Sequence, residues 1–537
     1  GSRRRDIHFQ VVANSTVWEI MNYSDLHGSV ANNGAVEVVI AEPFHWLLRI
    51  LSAPITFVLF LYSVGFAIFI IVNLSNVLQN RLQKYRSDEI RAPKRMQRGV
   101  WTIHGKNYDL SEWAKNHPGG IWAMELGRNR DCTGLVESYH IMMDRTKFYN
   151  LLAKFEVPKE KEARKTAEGT SITSTEASPN EGATKEMDHI YDDPFHQDVK
   201  EMVRSHFAGK GKGAHKTTPV LQLLTFLCAC CEAWMGYRVL TTGSWISCVL
   251  MPVFGWWMHT TGHDGSHFAF ATAPWLNRLA SRCAMPLYWN PSAWHIQHTV
   301  QHHVNTNEED DVDLYHFLPL IRVSYLSKYM AHHKFQCLYL LLVLPTSVTH
   351  LLFAVPIDLI RSQVDAYTGK QRYHQCDNID DFVAGCKPTM TWELLFCLSW
   401  LLGTMGMLGA WQGWQRVVTT YAIASVIFVF NTQGAHLRAE SMAVPPEERS
   451  WAKRQAMSSA NFCVDSSFWL YASGALNMQS LHHVVPSVSA YHLKDLWPKF
   501  AAVCAKHNVK LNVIKGPGDF WLGFVRWVRD LGSDPVS

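Results

Sequence analysis

Apolar residues in this chain gather into unbroken runs and do not follow the three-to-four-residue spacing of a half-buried helix or the alternation of a surface strand. Residues 50–80 carry no charged side chain. At 1.5 Å of rise per residue, a helix of that length is more than enough to cross a bilayer. Further runs lie at 219–240, interrupted by Glu232 and Arg238, and at 243–262, 335–357, 394–411 and 417–435. Only a few residues separate the first two of these, which predicts a helical hairpin, and the last two predict another. Between the first run and the hairpins the pattern changes. Residues 96–157 mix polar and apolar positions as a small soluble domain does, and residues 158–193 are rich in Lys, Glu, Ser and Thr with little to bury, which reads as a flexible linker.

The placement of charge gives these runs a sidedness. Arg81, Lys84, Arg86, Arg91, Lys94 and Arg95 follow the first run, whereas residues 25–43 before it contain no Lys or Arg. By the positive-inside rule the C-terminal side is cytosolic. Lys210, Lys212 and Lys216 before the first hairpin, and Arg438, Arg449, Lys453 and Arg454 after the second, put both open ends in the cytosol. The run at 335–357 holds Pro345, His350 and Pro356 and has basic residues on both flanks, so it reads as re-entrant or interfacial, giving five crossings. The chain divides into a lumenal segment with an anchor helix (1–95), the small domain (96–157), the linker (158–193) and a membrane domain (194–537). Asn14-Ser-Thr and Asn22-Tyr-Ser, on the lumenal side, match the glycosylation acceptor pattern.

Composition agrees with a membrane protein: 47% of the 537 residues are hydrophobic and 18% charged. The net charge of +4 comes without a dense basic stripe, so no nucleic-acid partner is expected. The 12 cysteines show no disulfide or zinc spacing and read as reduced thiols. Gly1-Ser2, without Met, reads as a start other than the natural one, and an apolar run that begins near residue 50 reads as an anchor and not a cleaved signal.

Candidate chemistry lies in the histidines. His263-Asp-Gly-Ser-His267 stands at the end of the 243–262 run, and residues four apart share one helix face, so both imidazoles can reach one metal. A second cluster, His298-Thr-Val-Gln-His302-His303, follows in the next polar stretch, and a third, Gln479-Ser-Leu-His482-His483, follows the last hairpin. The charge rule places all three on the cytosolic side. Seven clustered histidines exceed the needs of one metal, so two are expected. Neutral imidazoles suit iron, copper, zinc and nickel. A site at a membrane surface should act on lipid, and breaking an unactivated methylene C–H bond takes an oxidising metal with dioxygen, which selects iron.

Such chemistry consumes electrons. In the small domain, Val100-Trp-Thr-Ile-His-Gly-Lys-Asn-Tyr-Asp-Leu-Ser-Glu-Trp leads to His117-Pro-Gly-Gly, and His140 in Glu137-Ser-Tyr-His follows 23 residues after His117. Two such histidines can clamp a haem iron from opposite faces, leaving no open position, which favours electron transfer.

These motifs resemble the cytochrome b5-fused front-end fatty acid desaturases over roughly residues 96–500. His117-Pro-Gly-Gly is similar to that family's haem motif, and the clusters beginning at His263 and ending at His302-His303 are similar to its first and second histidine boxes. Gln479-Ser-Leu-His482-His483 carries Gln where related desaturases carry a histidine, a front-end feature. The resemblance implies a mostly α fold, an integral membrane helical desaturase with a cytosolic histidine cap, plus a small α+β cytochrome b5 domain. It also implies a double bond placed between an existing one and the carboxyl end of a long polyunsaturated acyl-CoA or acyl-phospholipid. Two non-haem iron ions, haem b, O2 and electrons from NADH through a cytochrome b5 reductase would serve it at the endoplasmic reticulum membrane. Gln433-Gly-Ala-His436 matches the family's Gln-x-x-His, making His436 an eighth ligand by resemblance, and Gln479 is expected to tune the site. An anchor ahead of the haem domain departs from the family. His295, His332, His333 and His350 match no motif and are expected to be structural. A lipid hydroxylase, a sphingoid-base desaturase and a non-catalytic haem protein are the competing readings.

Overall fold

The computed structural model describes residues 99–157, 189–364 and 379–533, with 309–310, 316, 319 and 328 excepted, together with Ser63. The predicted anchor helix apart from Ser63, both glycosylation triplets and residues 158–188 of the predicted linker lie outside the described residues.

The small domain is α+β. Strands β1 (Trp101–Ile103) and β2 (Lys106–Tyr108) pair antiparallel, Trp101 opposite Tyr108. They turn at His104 and Gly105, both at positive φ, which glycine adopts without strain. Trp101 buries its ring and donates its indole N–H to the Met124 carbonyl, 2.7 Å away, so the hairpin is tied to helix α1 (Gly120–Glu125). Helix α2 (Thr133–Tyr139) packs behind with Leu135 inward, and its N-terminal Thr133 N–H donates to the Asp131 carboxylate at 2.9 Å.

Helix α3 (Pro194–Phe207) begins the membrane part, with Pro in its first turn and Asp193 accepting from the backbone N–H groups of Phe195 and His196. Helices α4 (Pro219–Thr242) and α5 (Trp245–Ser266) form the first predicted hairpin, reversing at Gly243 in the left-handed region. Helices α6 (Ile379–Leu408) and α7 (Ala410–His436) form the second around Gly409, where a Cβ on Gly413 would come within 2.4 Å of the Met405 backbone. Val220, Leu223, Phe226 and Trp234 of α4 are exposed, as side chains that lipid covers must be.

Among the described residues, Pro219–Thr242, Ala331–Ile357, Gly385–Leu408 and Ala410–His436 are long and apolar enough to cross a membrane. Helix α5 has the length, but its last turns carry His259, Thr260, His263 and Asp264, all buried in protein. The segment read as re-entrant is an irregular helical path containing a π-helical stretch at His350–Ala354. Its length satisfies a span as well, and 67% of its apolar window is buried against protein.

Two boundaries differ from expectation. Residues 189–193 are docked: Ile190 N–H donates to Arg449 O at 2.7 Å, and Trp451 N–H donates to Ile190 O at 3.0 Å. The small domain does not stand apart on its linker either. Its core residues Trp101, Leu126 and Leu135 belong to one contiguous apolar cluster with Trp289 and Trp294 of the membrane part. Beneath the last histidine cluster, β3 (Ala460–Phe462) pairs parallel with β4 (Asn512–Ile514). The described cysteines are free thiols.

Candidate metal centre and haem site

The three histidine clusters and His436 converge into two adjoining buried groups. His263, His267, His298, His303 and His482 form one, and His302, His436 and His483 form the other. In the first, Nε2 of His298 lies 3.0 Å from that of His263 and 3.1 Å from that of His303, and Nε2 of His482 lies 3.2 Å from that of His303. Nitrogens bound about 2.1 Å from one ion at right angles stand about 3 Å apart, so these separations are those of a ligand shell.

Local backbone decides which imidazole joins which group. His263 and His267 are one α-helical turn apart and share a group. Residues 295–302 instead form a π-helix, whose wider turn stacks residues five apart. His298 and His303 therefore converge, and His302 is sent to the other group. The adjacent pairs His302-His303 and His482-His483 each straddle the two groups, because neighbouring helical positions point about 100° apart.

Each ring in the second group is aimed by a hydrogen bond at its far nitrogen. His302 Nδ1 faces the Asp311 carboxylate at 3.0 Å, His436 Nδ1 faces the Ser458 carbonyl at 3.1 Å, and His483 Nδ1 faces Gln455 Oε1 at 3.1 Å and Thr306 Oγ1 at 3.0 Å. In each case Nε2 is left for a metal, the arrangement that fixes tautomer and ring direction. The amide of Gln479 completes the group: its Nε2 is 3.1 Å from Nε2 of both His436 and His483, and its buried Oε1 has no partner among the described residues. The two ends of an amide fill nearly the same space, so a half-turn would present the oxygen, a lone-pair ligand like the neighbouring imidazole nitrogens, to an ion held among them.

Electrostatics favour a cation here. Burial holds His267, His298, His303, His482 and His483 well below the ordinary imidazole value, so they offer neutral, ligating nitrogens. His302 is the exception. Burial opposes its charge, but Asp311 and Asp313 outweigh that and raise it to about 9. Carboxylates that favour a proton there also favour a metal ion at the opposite nitrogen. Asp311, Asp313 and His302 lie close enough together to hold an ion themselves. Asp311, however, also accepts from the backbone N–H groups of Asn307 and Asp313, which occupies it as a buttress.

His117 and His140 face each other with ring centres 5.9 Å apart. One nitrogen from each ring on a shared iron, at about 2.1 Å, gives about this separation. Burial lowers both, His117 to about 4, keeping them neutral. His140 Nδ1 bonds the Val136 carbonyl at 3.0 Å, leaving Nε2 for iron. A Cβ on Gly119 would meet His117 Cε1 at 3.0 Å, which explains the glycine at that position.

Sequence reading missed several contributors. His259, one turn before His263 on α5, stacks on Trp256 at 4.0 Å, and neither ring nitrogen has a polar partner among the described residues. With Trp294, Phe428, Thr432, Gln433 and Leu476 it lines a cavity against the metal groups. Its place in His259-x-x-x-His263-x-x-x-His267 was the available signal. Asp311 sits in the acidic run Glu308–Asp311, and Tyr139, beside His140, had no signal at all. His295, His332, His333 and His350 fall in neither metal group.

The sequence model described as fatty acid desaturase matches residues 241–515, and the one described as cytochrome b5-like heme/steroid binding domain matches residues 86–159. The chain is similar to an acyl-lipid omega-13 desaturase of Chlamydomonas reinhardtii, with 29% identity over 76% of this chain and 89% of that protein. It is similar to acyl-lipid (8-3)-desaturase B of Dictyostelium discoideum, with 23% identity over 86% of this chain and 97% of that protein. It also resembles an sn-1 linoleoyl-lipid 6-desaturase of a Synechocystis strain, 23% identical over 63% of this chain and 96% of that protein. No solved structure matches.

Proposed function

The chain belongs to the fatty acid desaturase family and carries a cytochrome b5-like domain, and from that premise we propose that it is a front-end desaturase of polyunsaturated acyl lipids. It is an oxidoreductase of the membrane. In this reading the new double bond falls between an existing one and the carboxyl end of the chain. One iron would be held by His263, His267, His298, His303 and His482, and the other by His302, His436 and His483 with Gln479 beside it. The irons, when bound, supply the oxidising power that removes hydrogen from an unactivated methylene with dioxygen.

The protein's own residues do the rest. Trp294, Phe428 and Leu476 give the small cavity at the metal groups an apolar wall, which disfavours water beside the imidazoles. Asp311, Ser458, Gln455 and Thr306 keep the imidazoles of the second group turned inward. His117 and His140 would hold a haem, which when bound would supply electrons that a cytochrome b5 reductase draws from NADH on the cytosolic side of the endoplasmic reticulum.

The observation that carries this reading is the seat of Gln479, inside the second histidine group where a further imidazole would otherwise stand. The names of the (8-3)- and 6-desaturase relatives point the same way. Expression in a host fed a panel of polyunsaturated acids, with gas chromatography and mass spectrometry of the lipids, tests it. The expected product has one more double bond, on the carboxyl side. An alcohol, a new bond on the methyl side, or conversion of sphingoid bases alone would overturn it.

A further inference from the structure

The face by which the haem domain meets the membrane part is closely fitted. A Cβ on Gly120 would stand 2.8 Å from Pro274 Cβ, and one on Gly134 would stand 3.0 Å from Val304. The Trp122 ring lies 5.7 Å from that of His295 and under the Arg278 guanidinium. Glu137 of α2 pairs with Lys200 of α3, both buried. At the centre of this face, Tyr139 Oη lies 2.5 Å from Nδ1 of His267, and the two rings are nearly parallel with centres 6.0 Å apart. Of these contacts, it is the one that ends on a member of a metal group. Tyr139 is also bonded through one peptide link to His140, which belongs to the haem pair.

We propose that Tyr139 is the electronic bridge between the two redox sites, carrying electrons from the haem held by His140 to the five-histidine metal group through its hydrogen bond with His267. The proposal rests on the reading that the haem feeds the metal centre. Electron tunnelling decays much faster across a van der Waals gap than along bonds, and a hydrogen bond is the next best conductor to a covalent one. The path His140, Tyr139, His267 contains no open gap. With Nε2 of His267 turned to the metal, its Nδ1–H donates to the Tyr139 oxygen.

Each transfer takes one electron from ferrous haem, leaving it ferric, and reduces one ferric iron of the histidine centre. No bond is made or broken. Two transfers serve one double bond: two electrons and two protons, with the two hydrogens taken from the chain, convert one dioxygen to two waters. The reductase returns the haem to the ferrous form.

The test uses full-length, iron- and haem-loaded protein without oxygen or substrate. A light pulse in the presence of a photoreductant reduces the haem, and loss of its reduced absorption band reports electron passage to ferric iron. Tyr139→Phe keeps the ring and removes the oxygen. Its haem spectrum and iron content are expected to equal those of the unaltered protein, while haem reoxidation slows by an order of magnitude or more. Reoxidation at the unaltered rate would overturn the bridge, and loss of iron from the variant would overturn it in favour of a role confined to holding His267. If the iron-loaded unaltered protein showed no reoxidation, the underlying reading of the haem as donor would fall, and the bridge with it. Tyr139→Trp, which enlarges the ring contact without the hydroxyl, is expected to be as slow as Tyr139→Phe; faster reoxidation in it would assign conduction to the stacked rings and overturn the hydrogen-bond route.

Discussion

Gln479 and His436 are 43 positions apart in the chain, yet the Gln479 amide nitrogen lies 3.1 Å from Nε2 of His436. The same amide reaches His483 Nε2, one helical turn on, so a side chain of weaker donor power shares the corner where two imidazoles converge. Gln479→Ala should therefore lose most desaturation while keeping most of its iron, because the histidines remain. Gln479→His should keep iron yet turn over slowly, since a stronger ligand fills a position the reaction needs open. Metal analysis beside product analysis checks both, and full activity in Gln479→Ala would remove the residue from the site.

His436→Ala should reduce bound iron from about two per chain to about one and abolish desaturation, since it strips the second group to His302 and His483. The imidazole sits at the end of α7, an expensive place for a polar ring unless something there uses it. Elemental analysis of the purified variant is the check, and unchanged iron would make His436 structural.

Asp311→Asn keeps the shape of the buttress and removes its charge. Loss of such a partner costs about 10–100-fold in metal affinity or activity, and His302 would lose the neighbour that, with Asp313, raises it to about 9. Titration of iron back into stripped protein should show weakening at one of two sites. Equal affinity at both would show that Asp311 does not support the metal.

His117→Ala and His140→Ala should each remove the haem absorption bands and leave the iron content intact. The two sites have separate ligand sets, although the domains that carry them are docked. Absorption spectra of the reduced variants decide it, and a normal haem spectrum in both would disprove the ligand pair.

Docking should weaken in acid through Glu137. Burial pushes this carboxyl up, but hydrogen bonds from His104 and Tyr149 and the charge of Lys200 outweigh it and hold it well below the usual range. A depressed folded-state value means that the unfolded chain binds the proton first, so the stabilisation is present above about pH 4.3 and is lost as the pH falls below it. Thermal unfolding of Glu137→Gln should therefore lie below that of the unaltered protein at pH 7, with the gap closing as the pH approaches the acid limit. Removing one partner of a buried pair costs about 3–5 kcal/mol. A gap independent of pH would exclude the carboxylate charge as its source.

The parts of this protein written in local sequence were legible there. Long uncharged runs demand a nonpolar surrounding whatever the fold, so α4, α6 and α7 could be read directly, and so could the hairpins that Gly243 and Gly409 close. His117-Pro-Gly-Gly and the histidine clusters could be read because ligating residues recur at spacings that a single turn permits. What the sequence left open depends on contacts between distant segments. The division of the eight histidines into five and three follows from the π-helix at 295–302 and from how α5, α7 and residues 479–484 meet, and neither is set by residue spacing alone. Asp311, Ser458 and Gln455 carry no metal-binding signature, since a buttress is defined by what it faces. The docking of the haem domain was read as a flexible tether because residues 158–193 are polar, but tether composition says nothing of the surfaces at its ends. Glu137 meets Lys200 and Tyr139 meets His267 across 63 and 128 positions of chain. Tertiary packing decided those meetings, because seating α2 against the membrane part sets its polar side chains against theirs.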